Sequence, residues 1–256
     1  VRRSPKAYWS LLREFTVCGF KLRDQGTVLG FLWTLLHPLL LLAVLYLLFR
    51  NRLGTEIPHF RIYLLVGIIH WSFFSTATTK AIQSVALRRD LVTNVHFPRE
   101  ILVIGDVGTV LISFVLEIGV LFGFILVEGI PVRAAWLLLP VIAGLQGLLI
   151  VGVALFLAAA QVFVQDIERI WTLVLRIGFF LVPIFYDPRV IENDLHRQIF
   201  LLNPLTQIMT FSRTVLIEGR IPDASWMIYT LAIGLLLTAL SLRFFRRLEP
   251  SFAERL

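Results

Sequence analysis

Six stretches of this chain are long and apolar enough to approach or exceed the length a helix needs to cross a bilayer, and no other feature constrains its fold so tightly. A helix needs about 20 predominantly apolar residues to cross a hydrocarbon core ~30 Å thick. The stretches are Phe31–Phe49, Ile62–Thr79, Ile101–Val127, Ala135–Val164, Ile170–Tyr186 and Trp226–Phe245. The fifth is the shortest of them and carries Arg176. Of the 256 residues, 57% are hydrophobic and 16% charged, with a mean hydropathy of +0.82. That excess of apolar sequence exceeds what a water-facing surface tolerates, so lipid is the expected solvent. The expected fold class is all-α: a single polytopic unit over residues 1–256 with six transmembrane helices.

The net charge of +7 does not point to nucleic acid, because there is no compact basic domain to carry such binding. Fifteen of the 24 Lys and Arg fall on one side of the spans and eight on the other, with Arg176 inside one. The positive-inside bias then places both termini in the cytoplasm, as an even number of spans requires. Val1–Asp24 lacks the order of a cleavable signal, so insertion is expected to rely on the spans themselves. Cys18 is the single cysteine, which excludes an intrachain disulfide.

Three segments between spans carry information. Residues 7–24 alternate Tyr8, Leu11, Leu12, Phe15, Cys18, Gly19 and Leu22 with Arg13, Glu14, Lys21 and Arg23, the pattern of an amphipathic helix in the membrane interface. A soluble helix packed on another domain gives the same pattern. Residues 84–98 suit a short cytoplasmic helix around Ser84–Thr93, with Arg88, Arg89 and Asp90 at a charged tip and Phe97-Pro98 ending it. Residues 187–225 hold two apolar runs, Ile199–Leu202 and Leu205–Ile217, broken by Asn203-Pro204. They suit a re-entrant hairpin in the outer leaflet, or a hairpin lying on the bilayer.

Ionisable groups within spans are candidate functional residues. Asp106, Ser113 and Glu117 stand at offsets of seven and eleven, which return to within about 20° of one helix face. Arg176 is a candidate partner for Glu117. An ion pair holding the bundle together and a proton or cation relay both fit. Aromatic residues are the second candidate set: Trp33 and Tyr46 on the first span, Trp71, Phe73 and Phe74 on the second, and Phe179, Phe180, Phe185 and Tyr186 on the fifth. Such residues anchor spans at the interface, or line a pathway where flat rings meet the apolar faces of sugars.

The phosphate loop G-x-x-x-x-G-K-[ST] is absent, as are H-E-x-x-H, G-x-S-x-G and any Asp-rich cluster for a metal-bound pyrophosphate. His37, His59, His70, His96 and His196 lack metal-ligand spacing. No cofactor and no enzymatic activity are expected. A transport or scaffold protein energised by a cytoplasmic partner fits these features.

Several motifs resemble one family. Lys21-Leu22-Arg23 through Val28-Leu29-Gly30-Phe31-Leu32-Trp33-Thr34-Leu35-Leu36-His37-Pro38 looks like the entry to the first span of ABC-transporter permeases that export polysaccharides. The likeness continues at Gly67 and Trp71, at Leu91-Val92-Thr93-Asn94-Val95-His96-Phe97-Pro98-Arg99-Glu100, and at Gln165-Asp166-Ile167. It then takes in Pro183-Ile184-Phe185-Tyr186 and Asn203-Pro204-Leu205 with Arg213. The chain departs from the family pattern at Arg23-Asp24-Gln25, at His37 and at Gln165.

The resemblance implies an exporter of lipid-linked polysaccharide, of the O-antigen, capsule or teichoic-acid kind, in the bacterial cytoplasmic (inner) membrane. It implies a homodimer, two copies of a separate P-loop ATPase, and a polyprenyl-pyrophosphate-linked substrate. Arg88, Arg89 and Asp90 would be exposed charges at the ATPase contact. Trp33, Tyr46, Phe179, Phe180 and Tyr186 would line the channel, and the 187–225 hairpin would gate it. The basic face with Arg2, Arg3 and Lys6 suits the pyrophosphate. Rival readings are a permease for a drug or small lipid, an ion-coupled transporter using Asp106, Glu117 and Arg176, and a scaffold that transports nothing.

Overall fold

A computed structural model describes residues 5–23, 30, 32–51, 57–95, 97–188 and 194–255. Arg2, Arg3, Asp24, Gln25, Phe31, His96 and residues 189–193 of the outer segment lie outside the described residues. The described regular structure is helical throughout: α1 (Pro5–Arg23), α2 (Leu32–Phe49), α3 (Phe60–Ile82), α4 (Arg89–Asn94), α5 (Glu100–Val127), α6 (Leu139–Phe163), α7 (Ile167–Leu181), α8 (Asp194–Leu202), α9 (Pro204–Arg213), α10 (Ala224–Leu248) and α11 (Phe252–Arg255). Helices are what apolar sequence of this length must form in lipid, where each backbone N–H and C=O needs an internal partner.

Five helices among the described residues are long and apolar enough to span: α2, α3, α5, α6 with its leading 3₁₀ turn, and α10. The fifth predicted stretch differs. Its helix, α7, holds 15 residues and gives way to extended backbone at Val182. At 1.5 Å per residue that is about 22 Å, short of the ~30 Å core. Pro183 accounts for the early stop, since it disfavours helix at the preceding residue.

Helix α3 is the hub, with α2, α5, α6, α7 and α9 all packed on it. Two-thirds of its spanning window is buried, against under a quarter for α2 and α10, so those two are the peripheral spans. Lipid offers no hydrophobic drive between spans, so close packing and interhelical hydrogen bonds must hold them. The Thr238 hydroxyl on α10 donates to Leu148 O on α6 at 2.9 Å, a bond of the class worth about 0.6 kcal/mol.

Helix α1 packs along the first half of α5. Phe15 meets Gly105, Thr16 meets Gly108, and Arg23 reaches Ser113. A side chain at Gly108 would collide with Thr16 Oγ1 at 2.7 Å, so glycine is what lets the helices touch. From Gly105 to Ser113 the contact climbs about 12 Å along α5.

The predicted helix around Ser84–Thr93 is split into a 3₁₀ turn, Ala86–Arg88, and the short α4. Beyond Tyr186 the chain forms the expected helix–turn–helix. Asn203 caps α9 by accepting the Leu205 N–H at 3.0 Å, and Pro204 occupies its first turn. Helix α9 is buried against α3, α6 and α10, and ends in a π turn, Thr214–Glu218. Asp223 caps α10. The Ser225 backbone N–H and then its hydroxyl, both donating to the carboxylate, hold Asp223 below the ordinary carboxylate range.

Candidate functional site: an aromatic seam and a charged clamp

Two constellations are candidates, an aromatic seam along the bundle and a charged clamp at one end of it. The first runs between α3 and α7. Trp71 and Phe74 on α3, at helical spacing, meet Phe179 and Trp171 on α7, with ring centroids 6.0 Å and 6.2 Å apart respectively. The Trp171 indole N–H donates to the Thr78 hydroxyl at 3.0 Å. Phe179 continues to Phe185 at 6.4 Å, and Phe185 to Tyr186 at 5.3 Å and to Phe49 of α2 at 4.9 Å. Tyr186 meets Phe200 of α8. These separations lie in the range favoured for aromatic pairs. The rings form one seam from the end of the bundle that carries both termini to the far end.

The predicted channel residues divide around this seam. Phe179 and Tyr186 belong to it and are half-buried. Phe180, 65% exposed, meets Phe179 and Phe185 edge-on at 5.4 and 6.3 Å and so forms the open border of the seam, while Trp33 (53%) stands out from it on α2. Tyr46 turns inward, onto Phe60 and beneath the Arg61 guanidinium, and so does not share the open face. Phe49 and Trp171 join the seam without having been among the candidates, although the spacing of Trp171 and Phe179, eight apart, signals a shared face.

One buried side chain positions the far end. Arg213 of α9 donates to Pro183 O at 2.8 Å, to Ile184 O at 3.0 Å and to Tyr63 O at 3.1 Å. Its guanidinium lies 3.4 Å from the centre of the Tyr63 ring. The Tyr63 hydroxyl donates to Tyr186 O at 2.8 Å. This network holds the turn that presents Phe185 and Tyr186. Gly67 makes room for it: a Cβ there would sit 2.8 Å from Arg213 Nη2 and 3.1 Å from the Ile184 backbone. Deeper in, His70 Nδ1 faces Gln146 Oε1, which can only accept, so Nδ1 donates and Nε2 receives the Ser212 hydroxyl at 2.7 Å. The signal for Arg213 was its place in a motif, and nothing local indicated what it would bind.

The second constellation is a charged clamp at the end that carries both termini. Arg88 makes a bidentate contact to Asp106 at 2.8 and 3.0 Å, and Lys80 lies 3.4 Å away. Arg99 holds Glu249 and Val92 O, and Arg246 holds Glu100 at 2.8 Å. Phe97 stacks on Phe15 of α1. The Phe97-Pro98-Arg99-Glu100 block thus ties α1, α4, α5 and the end of α10 together. Of the expected coupling charges, Arg89 and Asp90 are exposed. Arg88 corrects the expectation for that trio: it is turned inward as the tether on Asp106 and does not stand free.

The polar stripe of α5 exists, since Asp106, Ser113 and Glu117 are all buried. Its partners differ from the expected one. Arg23 donates to Ser113 at 2.5 Å and to Thr34 at 2.6 Å, bridging α1, α2 and α5. Glu117 and Arg176 form no ion pair, and Glu117 Oε2 lacks a hydrogen-bond partner among the described residues. Arg176 points out of α7 instead, into an open cleft of about 460 Å³ shared with Glu168, Arg169, Thr172 and Leu173. Were α7 to lie within the hydrocarbon, a guanidinium facing lipid would cost about 2.5–3.5 kcal/mol at the centre of a span, so this face of α7 suits water or protein.

Comparison with known proteins adds identity to geometry. Residues 13–217 match the family described as ABC-2 type transporter. The O-antigen export system permease protein RfbA of Myxococcus xanthus is 32% identical over 248 residues, 96% of this chain and 95% of that protein. The protein of the same name in Klebsiella pneumoniae is 26% identical over 247 residues, with the same coverage.

Proposed function

The chain belongs to the ABC-2 type transporter membrane family, and we propose that it is the permease subunit of an ATP-driven exporter of O-antigen-like polysaccharide on a polyprenyl-pyrophosphate carrier. Two copies would form the pathway, and two copies of a P-loop ATPase would drive it from the cytoplasm. The observation that carries this reading is the face shared by α2 and α7. Both helices leave much of their surface uncovered, and the aromatic seam that runs along α7 reaches α2 at Phe49 through Phe185. A second copy set against that face would enclose a route walled by Trp33, Phe179, Phe180 and Tyr186. Flat rings suit a long polymer because they stack on sugars without demanding one register.

Both termini lie in the cytoplasm in this reading, with α1 at the inner interface, its Arg23 tied to α2 and α5, and α7 completing a sixth crossing with residues 182–186. The clamp at that end is the coupling block. Arg89 and Asp90 present its exposed charges to the ATPase, while Arg88–Asp106, Arg99–Glu249 and Arg246–Glu100 carry a shift of α4 into α5 and α10. ATP binding then changes the populations of closed and open bundles. At the far end, α8–α9 acts as a re-entrant gate through the Arg213 network. No covalent chemistry takes place in this chain.

The test is reconstitution in liposomes with a P-loop ATPase subunit as partner. ATP-dependent transfer of a lipid-linked glycan, lost when the ATPase's phosphate-loop lysine is replaced, is the expected result. Glycan transfer without the ATPase, or ATP hydrolysis by the purified chain alone, would overturn the proposal.

A further inference from the structure

The outward face of α7 carries a feature that a sugar pathway does not require. Arg169 and Arg176 are seven residues apart, which returns them to within about 20° of one face, and Thr172 lies between them. All three are exposed and line the same cleft. The Arg176 guanidinium forms no ion pair with any described residue. Arg169 has only an open contact with Asp166 at 3.6 Å, both side chains being mostly in solvent. Glu168, the one acid on the cleft wall, accepts from Gln83 Nε2 at 2.7 Å and so has a partner on its inner side. Phe180 continues the stripe at the eleven-residue offset from Arg169, one turn beyond Arg176. The face therefore reads, from the end carrying both termini, as two forked cations around a hydroxyl and then an aromatic ring.

We propose that Arg169 and Arg176, set on either side of Thr172, form a docking site for the diphosphate of the lipid-linked substrate, with Phe180 placed for the first sugar. This rests on the exporter reading. The chemistry fits the ligand. A guanidinium offers paired N–H donors that match phosphate oxygens, while the Thr172 hydroxyl donates to Glu168 O at 2.8 Å and serves as the small residue that leaves room between the two arginines. Spaced about 10 Å apart along the axis, the two arginines can reach toward each other and bracket a diphosphate rather than crowd one phosphate. A single-phosphate headgroup engages one guanidinium at a time, so the site discriminates between a diphosphate lipid and bulk anionic phospholipid.

The experiment uses the permease–ATPase complex in phosphatidylcholine nanodiscs and measures retention of labelled undecaprenyl diphosphate carrying no sugar. Arg169→Gln and Arg176→Gln are each expected to weaken retention about tenfold, the loss of one charge-assisted contact, and Arg176→Lys less. Arg243→Gln, an exposed cation on α10, controls for diffuse positive charge and leaves retention unchanged. Wild-type-like retention by the Arg169→Gln/Arg176→Gln double variant would overturn the docking site and leave the exporter reading standing. So would equal competition by phosphatidylglycerol or inorganic pyrophosphate. A wild-type complex that retains no diphosphate lipid would instead overturn the exporter reading itself.

Discussion

Replacing Arg213 with methionine isolates the contribution of the buried guanidinium, because methionine fills similar space without donors. The carbonyls of Pro183 and Ile184 lose their partners, each orphaned acceptor costing about 1–3 kcal/mol. The contact with the Tyr63 ring also goes, at about 2 kcal/mol for a desolvated cation–π pair. Against these losses the folded protein no longer buries a charge, a relief of several kcal/mol. The balance is a destabilisation of about 2–4 kcal/mol, since the buried Arg213 guanidinium is paired through its N–H groups and one face. For a chain of this size that lowers the apparent melting midpoint by about 5–12 °C. Detergent-solubilised protein heated at a fixed scan rate reports it, as unfolding of such proteins is usually irreversible. Arg213→Lys should recover less than half, because one ammonium cannot reach the two carbonyls and Tyr63 O together. A midpoint for Arg213→Met within about 2 °C of the wild type would refute the assignment of the guanidinium as the anchor of the 183–186 turn.

Asp106→Asn leaves Arg88 and Lys80 without their counter-charge at a nearly buried site, and should cost about 3 kcal/mol by melting. The Arg88→Gln/Asp106→Asn pair should cost less than the sum of its single variants, and strict additivity would count against the tether. Gly67→Ala puts a methyl against Arg213 and the Ile184 backbone, an overpacking of about 1–3 kcal/mol. It should depress glycan transfer in reconstituted liposomes more than Gly119→Ala, which meets open space; equal transfer by the two would show the turn to be tolerant.

Much of this protein was legible in the chain itself. The five strongest spans follow from length and apolarity, because lipid permits one local solution to the backbone's hydrogen bonds. The Asn203-Pro204 break, the helix α1 and the face shared by Asp106, Ser113 and Glu117 follow from periodicity and caps, which are equally local. Partners were not legible. Arg176 and Glu117 looked matched by charge, but α7 packs on α3 and α6, and the cations that reach the α5 stripe are Arg88 and Lys80 at Asp106 and Arg23 at Ser113. Arg88 has the composition of a surface charge and is spent on Asp106. Tyr46 has the composition of a channel residue and lies on Phe60.

The sequence by itself determined that the chain is a helical membrane protein, where most of its spans begin and end, and the family to which it belongs. Only the tertiary structure decided which helix is the hub, that α7 stops short, and that one arginine anchors the turn carrying Phe185 and Tyr186. The reason is the range of the forces. Backbone hydrogen bonding and burial of apolar side chains act within a single span and leave their pattern in consecutive residues. Ion pairs and ring contacts between spans depend on helix rotation and crossing, which are set by packing between segments far apart in the chain.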